Sequence, residues 1–146
     1  MFWGFVRIIS IHKSKRSYVK AEGLRHPIIE KIHDDVKYIP NDVHVDTQRI
    51  GYLVYGLNSS GKSTLLRSLG CNIVLAQIGM FVAASSFQYH PYKKLLTKIS
   101  TTDNIFKGQS TFIVEMTELN EILTKSDEYT LVLCDELTSG TETNSA

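Results

Sequence analysis

The sequence predicts an α/β fold in which a mostly parallel sheet is covered by helices on both faces. Apolar runs of strand length, such as "RIGYLVYG" and "YTLVLCDE", alternate along the chain with segments whose apolar residues recur at helical spacing. The chain has 146 residues and 42% of them are hydrophobic, which is enough for one domain with a buried core. We expect ligands of such a sheet to bind at the carboxyl ends of its strands.

The composition indicates the general class of protein. The formal net charge is +1, so the overall balance indicates neither a nucleic-acid partner nor a membrane surface. The five histidines, Cys71 and Cys134 lack metal-site spacing, and the apolar surroundings of the cysteines are typical of buried, reduced thiols. The apolar start "MFWGFVRIISI" precedes the basic "HKSKR", the wrong order for a signal peptide, and is too short to span a membrane. We expect an intracellular protein, whether in cytoplasm, nucleus or organelle, without a membrane partner.

Short strands are predicted in the first third of the chain. "SYVKAEG" predicts a strand that ends at Gly23, and "HPIIEKIHDD" predicts a turn or the start of a helix after Pro27. "KYIPND" is typical of a loop, and the alternating "VHVD" is typical of a short strand. "RIGYLVYG" then predicts a central, buried strand.

Two helices and three further strands are predicted in the remainder. The first helix ends near Gly79. Strands "MFVAAS" and "LLTKIS", separated by the polar and aromatic connection "SFQYHPYKK", come before the second helix, and "YTLVLCDE" follows it. The apolar positions are Leu65, Leu69, Ile73 and Ala76 in the first helix, and Phe112, Met116, Leu119 and Leu123 in the second.

The stretch "YGLNSSGKST" matches the phosphate-binding pattern G-x-x-x-x-G-K-[ST], known as Walker A, at Gly56, Gly61, Lys62 and Ser63. Glycines allow backbone N–H groups to turn toward phosphate oxygens, with the positive end of the next helix behind them. Lys62 is predicted to contact the β- and γ-phosphates, and Ser63 to bind Mg²⁺. A Gly/Ser turn between a strand and a helix is the alternative, but a buried run before it and an amphipathic helix after it favour the phosphate loop of a P-loop NTPase.

Two acids at the end of "LVLCDE" predict the second half of such a site, known as Walker B. Asp135 would hold Mg²⁺ through its water shell, and Glu136 would act as the general base toward the attacking water. Paired acids at a strand end can also be a solvated turn. No N-K-x-D guanine signature occurs in the chain, so ATP is favoured over GTP.

A third stretch, "DNIFKGQSTFIVEMTELNEIL", resembles a segment of the MutS family of DNA mismatch-repair ATPases, D-x-x-x-x-G-x-S-T-F-x-x-E-M-x-E. "GLRHPIIE" and "DELTSGTETNSA" are also similar to motifs of that family. The resemblance covers residues 17–146 and implies an ATPase core of the ABC/MutS type, incomplete at its C-terminus. Residues 1–16 are left as an uncertain N-terminal stump.

The resemblance implies roles for further residues. Tyr38 matches the aromatic on which the family stacks adenine, and Asn58 matches its phosphate-loop asparagine. Ser110 matches a serine that reaches the γ-phosphate of a dimer partner's nucleotide, although it could cap the following helix instead, or do both. His26 and Pro27 are expected to shape a loop rather than to catalyse. Together with the pattern itself, nucleotide contacts are predicted for Tyr38, Gly56, Asn58, Ser59, Ser60, Gly61, Lys62, Ser63 and Thr64, and catalytic roles for Lys62, Ser110 and Glu136.

The sequence departs from the family in two places. "GLNSSGKS" stands where G-P-N-M-G-G-K-S is usual, and Ala83 stands where the family has a proline. We also expect segments on both sides to be missing: the mismatch-reading domains before this chain, and a catalytic-loop histidine and a dimerisation segment after Ala146. The implied function is ATP hydrolysis coupled to recognition of mismatched double-stranded DNA, in a homodimer or a MutS-like heterodimer. The alternatives are an ABC- or SMC-type DNA-repair ATPase, for which only "GQST" of L-S-G-G-Q is present, and a nucleotide-binding fragment without turnover.

Overall fold

A computed structural model describes residues 14–32, 37–99 and 111–135. Helices and strands alternate in this part of the chain, so its fold class is mixed α/β. The elements are β1 (Tyr18–Leu24), α1 (Ile29–Ile32), β2 (Asn41–Val45), α2 (Lys62–Gln77), β3 (Ser86–His90), β4 (Lys94–Lys98), α3 (Thr111–Lys125) and β5 (Thr130–Cys134). No helix in these ranges is long and apolar enough to cross a membrane.

Three strands form an antiparallel sheet in the order β2-β1-β3. In β1, Val19, Ala21 and Leu24 are buried, and Val19 pairs with Val45 on one side and Tyr89 on the other. The register shifts between Ala21 and Leu24, where Gly23 takes a left-handed φ of 58°. This bulge is closed by the Gly23 amide, which donates to Asp42 Oδ1 at 2.7 Å.

The other two strands, β4 and β5, form a parallel pair in which Leu95 lies opposite Leu131. Helix α2 packs on β5 at Gly70, where an added Cβ would lie 3.0 Å from Leu133 Cδ1. Leu69 and Ile73 of α2 belong to the same hydrophobic cluster as residues of both sheets. Helix α2 therefore joins the antiparallel sheet and the parallel pair into one core.

The prediction of a mostly parallel sheet is wrong for the described strands, since three of the five are antiparallel. The alternation in "SYVKAEG" and in "SFQYH" already contained the reason. Buried and less buried residues alternate along β1 and β3, and a sheet with one covered face is typically antiparallel. The stretch "SFQYHPYKK", which was predicted to be a connection, accordingly contains β3, with Phe87 and Tyr89 buried.

"RIGYLVYG" does not form the predicted central strand. Residues 49–56 have no regular secondary structure, and Ile50, Leu53 and Tyr55 are 77%, 87% and 89% exposed. No strand in the described ranges pairs with this segment, and an extended chain gains ladder hydrogen bonds only from a neighbouring strand. On one side, a cavity of about 320 Å³ separates residues 50–54 from Leu131 and Leu133 of β5. "MFVAAS" likewise has only an isolated bridge at Val82.

Both predicted helices are present. In α2 the predicted positions Leu69, Ile73 and Ala76 are buried and Leu65 is partly buried, so the apolar stripe faces the core. Helix α3 is less covered, because Leu123 is 70% exposed. Met116 and Leu119 are half-buried, and the side chain of Phe112 lies outside the described part.

Candidate nucleotide-binding site

The segment that matches the phosphate-binding pattern forms an open loop ahead of α2. Ser59 and Gly61 have left-handed φ angles of 64° and 95°, and the Ser60 amide donates to the Leu57 carbonyl at 3.3 Å. Left-handed residues beside right-handed ones turn successive backbone N–H groups toward one side, which is how backbone concavities bind anions. Residues 56–61 are exposed, so this side of the loop is accessible.

The first turn of α2 has backbone N–H groups that no side chain caps. Gly61 occupies the N-cap position and no side chain caps the helix, which begins at Lys62. The first N–H groups of a helix have no partner within the helix, and the helix dipole adds positive charge there. An added Cβ at Gly61 would meet no atom within 4 Å, so the space in front of this turn is open.

Lys62 folds back over the loop. Its Nζ donates to the carbonyl oxygens of Gly56 and Leu57, at 2.8 Å each. The ammonium group therefore lies against the backbone of the loop, and Lys62 as a whole is half-buried. An anion bound there would compete with the two carbonyls for the same charged group.

Two oxygen groups predicted to bind Mg²⁺ belong to Ser63 and Asp135. Within the described ranges, the Ser63 hydroxyl makes no hydrogen bond, and Asp135 is bonded only through its amide, which donates to the Lys98 carbonyl at 2.7 Å. Both residues are half-buried, on two elements that contact each other at Gly70 and Leu133. Free hydroxyl and carboxylate oxygens fit Mg²⁺, which prefers oxygen ligands. The neighbouring Cys134 thiol stays protonated, because burial raises its pKa.

Tyr38 is attached to the second turn of α2. Its hydroxyl lies 3.0 Å from Ser68 Oγ, which itself donates to the Thr64 carbonyl at 2.7 Å. The Tyr38 ring is half-buried, while its neighbours Lys37 and Ile39 are exposed. The structure thus brings the predicted base-stacking residue to the helix that follows the predicted phosphate loop.

A buried amide fixes α2 against the rest of the molecule. Asn72 is fully buried and donates through Nδ2 to the carbonyls of Ser68 (2.8 Å) and Arg25 (2.9 Å). Its Oδ1 accepts from the Ala83 amide at 2.7 Å. Since the amide group satisfies backbone groups of three segments, it holds them in one arrangement.

In the loop after β1, His26 has the structural role that was predicted for it. The His26 Nδ1 accepts from the amides of Ile28 and Ile29 at 3.2 Å each, at the start of α1. Arg25 Nε pairs with Glu30 Oε2 at 2.7 Å across the same turn. Burial, and to a smaller extent the charge of Arg67, lower the pKa of His26, which keeps Nδ1 free to accept.

Two predicted site residues, Ser110 and Glu136, lie outside the described residues, and their roles stay predictions. Sequence reasoning missed Ser68 and Asn72. The available signal was their position: both fall within the buried face of α2, next to Leu69 and Ile73, and a polar residue on a buried face needs a hydrogen-bonding partner.

Comparison with known proteins decides the family. The family model for MutS domain V matches residues 52–146. The chain belongs to the MutS family of DNA mismatch-repair proteins. The matched range of this MutS-family chain includes the loop from Gly56 to Ser63 and the strand end at Asp135, whereas Tyr38 lies before it.

Individual MutS relatives are similar over most of this chain. A mitochondrial DNA mismatch repair protein mutS homolog from Sarcophyton glaucum is 42% identical over 89% of this chain and 13% of its own length. DNA mismatch repair protein MutS from Lactobacillus acidophilus is 42% identical over 92% of this chain and 16% of its own length. A putative mutS homolog from Acanthamoeba polyphaga mimivirus is 37% identical over 86% and 14%. The chain therefore spans only a small part of the length of these MutS proteins.

Proposed function

We propose that this chain is the ATP-binding segment of a MutS-family mismatch-repair ATPase. The observation that supports it best is the exposed loop before α2, where left-handed Ser59 and Gly61, an uncapped helix start and the folded-back Lys62 occur together. Each of these features suits a polyphosphate: backbone N–H groups and a lysine supply positive charge, and the glycine leaves room. Asn58, Ser60 and Thr64 lie within the same stretch and complete the proposed contacts.

Lys62 has the central part in binding. Its ammonium group donates to two neutral carbonyl oxygens, those of Gly56 and Leu57. The β- and γ-phosphates of ATP would replace them, because a phosphate oxygen carries negative charge and attracts the ammonium group more strongly than a neutral carbonyl oxygen does. A ligand with a single phosphate would replace fewer of these contacts, so we expect ATP to be preferred over AMP.

Hydrolysis of ATP would require the two acidic residues that follow β5 in the sequence, Asp135 and Glu136. Ser63 and Asp135 are the residues that would hold Mg²⁺, which neutralises charge on the transferring phosphoryl group when bound. Glu136 would accept the proton of the attacking water, and Ser110 would reach the γ-phosphate bound by a dimer partner. In the whole protein, homodimer or heterodimer, hydrolysis would be coupled to recognition of mismatched DNA by other domains.

A second function fits the chain taken by itself, namely nucleotide binding with little turnover. The loop residues 56–61 are exposed, and a site open to water gives weaker electrostatic stabilisation than an enclosed one. An ABC-type composite site would leave it equally open until a partner covers it. Steady-state hydrolysis by this chain, compared with hydrolysis by the full-length protein, distinguishes the two functions.

The binding proposal is tested by Lys62→Ala. We expect ATP affinity to fall by roughly 1.5 to 3 kcal/mol, which is the range for hydrogen bonds that involve a charged group. Isothermal titration calorimetry with ATP and Mg²⁺ measures it. Lys125→Ala is the matched control, because it removes the same charge from an exposed ion pair with Glu121 on α3. Equal ATP affinity of the two variants would remove the phosphate-loop assignment.

A further inference from the structure

We propose that Ser68, buried in α2, is a positioning residue that fixes the aromatic ring of Tyr38 at a set distance from the phosphate loop. The inference rests on the proposed function, in which Tyr38 stacks on the adenine of ATP. It adds a residue that touches no part of the nucleotide and acts only through Tyr38.

The direction of the hydrogen bond follows from the proton inventory. A serine hydroxyl has a single proton, and Ser68 donates it to the Thr64 carbonyl at 2.7 Å. In the contact at 3.0 Å, the Tyr38 hydroxyl must therefore be the donor and Ser68 Oγ the acceptor. Tyr38 Oη, Ser68 Oγ and the Thr64 carbonyl thus form one directed chain that ends next to Ser63.

Ser68 is a rigid anchor, whereas Tyr38 lies in a loop. Ser68 is fully buried, and its carbonyl accepts from the buried Asn72 side chain at 2.8 Å. Residues 37–40 around Tyr38 have no regular secondary structure. In the described part of the chain, the bond to Ser68 is the one hydrogen bond of the Tyr38 side chain. Without it, the ring could turn away from the base-stacking position.

Helix α2 then sets the distance between the two ends of the nucleotide site. Lys62 begins the helix, and Ser68 follows six residues later, which corresponds to about 9 Å along the helix axis at 1.5 Å per residue. Because both the phosphate contact and the anchor of the aromatic ring belong to one helix, their spacing changes little when the surrounding loops move.

The test compares Tyr38→Phe, Ser68→Ala and the double variant of the 146-residue chain, each titrated with ATP, ADP and inorganic tripolyphosphate. Removing one neutral hydrogen bond should weaken ATP and ADP by about three- to tenfold in each single variant. The double variant should lose no more than either single one, since both remove the same bond. Affinity for tripolyphosphate, which has no base, should not change.

Two controls separate positioning from stability. Thr117→Ala removes an equivalent bond from a side chain to the carbonyl four residues earlier, at 2.8 Å in α3, and should leave all three affinities unchanged. Tyr38→Phe keeps Ser68 and its bond to Thr64, so it tests the inference even where Ser68→Ala fails to fold.

The outcomes that would overturn the inference are distinct from those that would overturn the proposed function. Unchanged ATP affinity in Tyr38→Phe, additive losses in the double variant, or equal weakening of ATP and tripolyphosphate in Ser68→Ala would each exclude a positioning role while leaving the phosphate loop in place. If the unmodified chain binds neither ATP nor tripolyphosphate, the proposed function fails and the inference fails with it.

Discussion

At the scale of single residues, His26 makes the stability of the fold depend on pH. Its Nδ1 accepts two backbone hydrogen bonds at the start of α1, which requires that nitrogen to be unprotonated. Burial, then the charge of Arg67, lower the pKa of His26 in the folded chain. The unfolded chain, with an ordinary histidine pKa of about 6.5, binds the proton more readily. Stability is therefore fully present above that pH and is lost as the pH falls through the lowered folded-state pKa.

The variant His26→Asn tests this dependence. An asparagine oxygen can accept the same amide hydrogen bonds but does not titrate in this range. We expect the urea midpoint of the unmodified chain to drop more between about pH 7.5 and about pH 5.5 than that of the variant. The two proteins should differ least at the upper end. Parallel pH profiles would show that His26 protonation does not contribute.

At the scale of elements, the bulge in β1 depends on a glycine. Gly23 has a left-handed φ of 58°, and a Cβ added there would clash with Ser85 Oγ. We expect Gly23→Ala to lower the free energy of unfolding by about 2 to 4 kcal/mol, combining backbone strain of about 1 to 2 kcal/mol with the steric clash. Urea denaturation followed by circular dichroism measures the loss.

Gly79→Ala separates the two contributions. Gly79 also has a left-handed φ, of 81°, but no atom lies within 4 Å of an added Cβ. This control should therefore lose only the strain of about 1 to 2 kcal/mol. Adding Ser85→Ala to Gly23→Ala should restore part of the loss, since the hydroxyl is the nearest atom to the new methyl group. Equal losses at the two glycines would mean that the contact with Ser85 is unimportant.

The elements also show how much the sequence could predict. Helix α2 was predictable because its apolar positions repeat at helical spacing and Gly79 follows its end, and both signals are local. The exposed loop ahead of α2 was predictable from the spacing of Gly56, Gly61 and Lys62, whereas its binding of phosphate stays a prediction. The exposure of residues 50–55, with which no strand of the described ranges pairs, was not predictable, because an apolar run indicates burial but not whether a neighbouring strand exists. The contact between Tyr38 and Ser68 depends on the path of a loop, for which the sequence has no periodic signal.

At the scale of the whole molecule, the proposed dimer makes a prediction that a self-sufficient site does not. In the full-length protein, Lys62→Ala and Ser110→Ala should each abolish most ATP hydrolysis. A mixture of the two should recover one working site per heterodimer, because the subunit with intact Lys62 receives intact Ser110 from its partner. Steady-state hydrolysis, after subunit exchange is verified with differently tagged chains, measures the recovery. Absence of recovery in verified heterodimers would mean that Ser110 acts within its own subunit or only caps the helix that follows it.

The exposed segment before the proposed phosphate loop has a consequence for handling the isolated chain. Ile50, Leu53, Tyr55 and Leu57 are 77% to 89% exposed, and in the described ranges no strand pairs with them. An exposed apolar run outside any sheet is a template for aggregation between copies. Purification yield and shelf life should therefore fall as protein concentration rises. Leu53 is 87% exposed. The substitution Leu53→Lys should delay precipitation, because a charged side chain interrupts the apolar run.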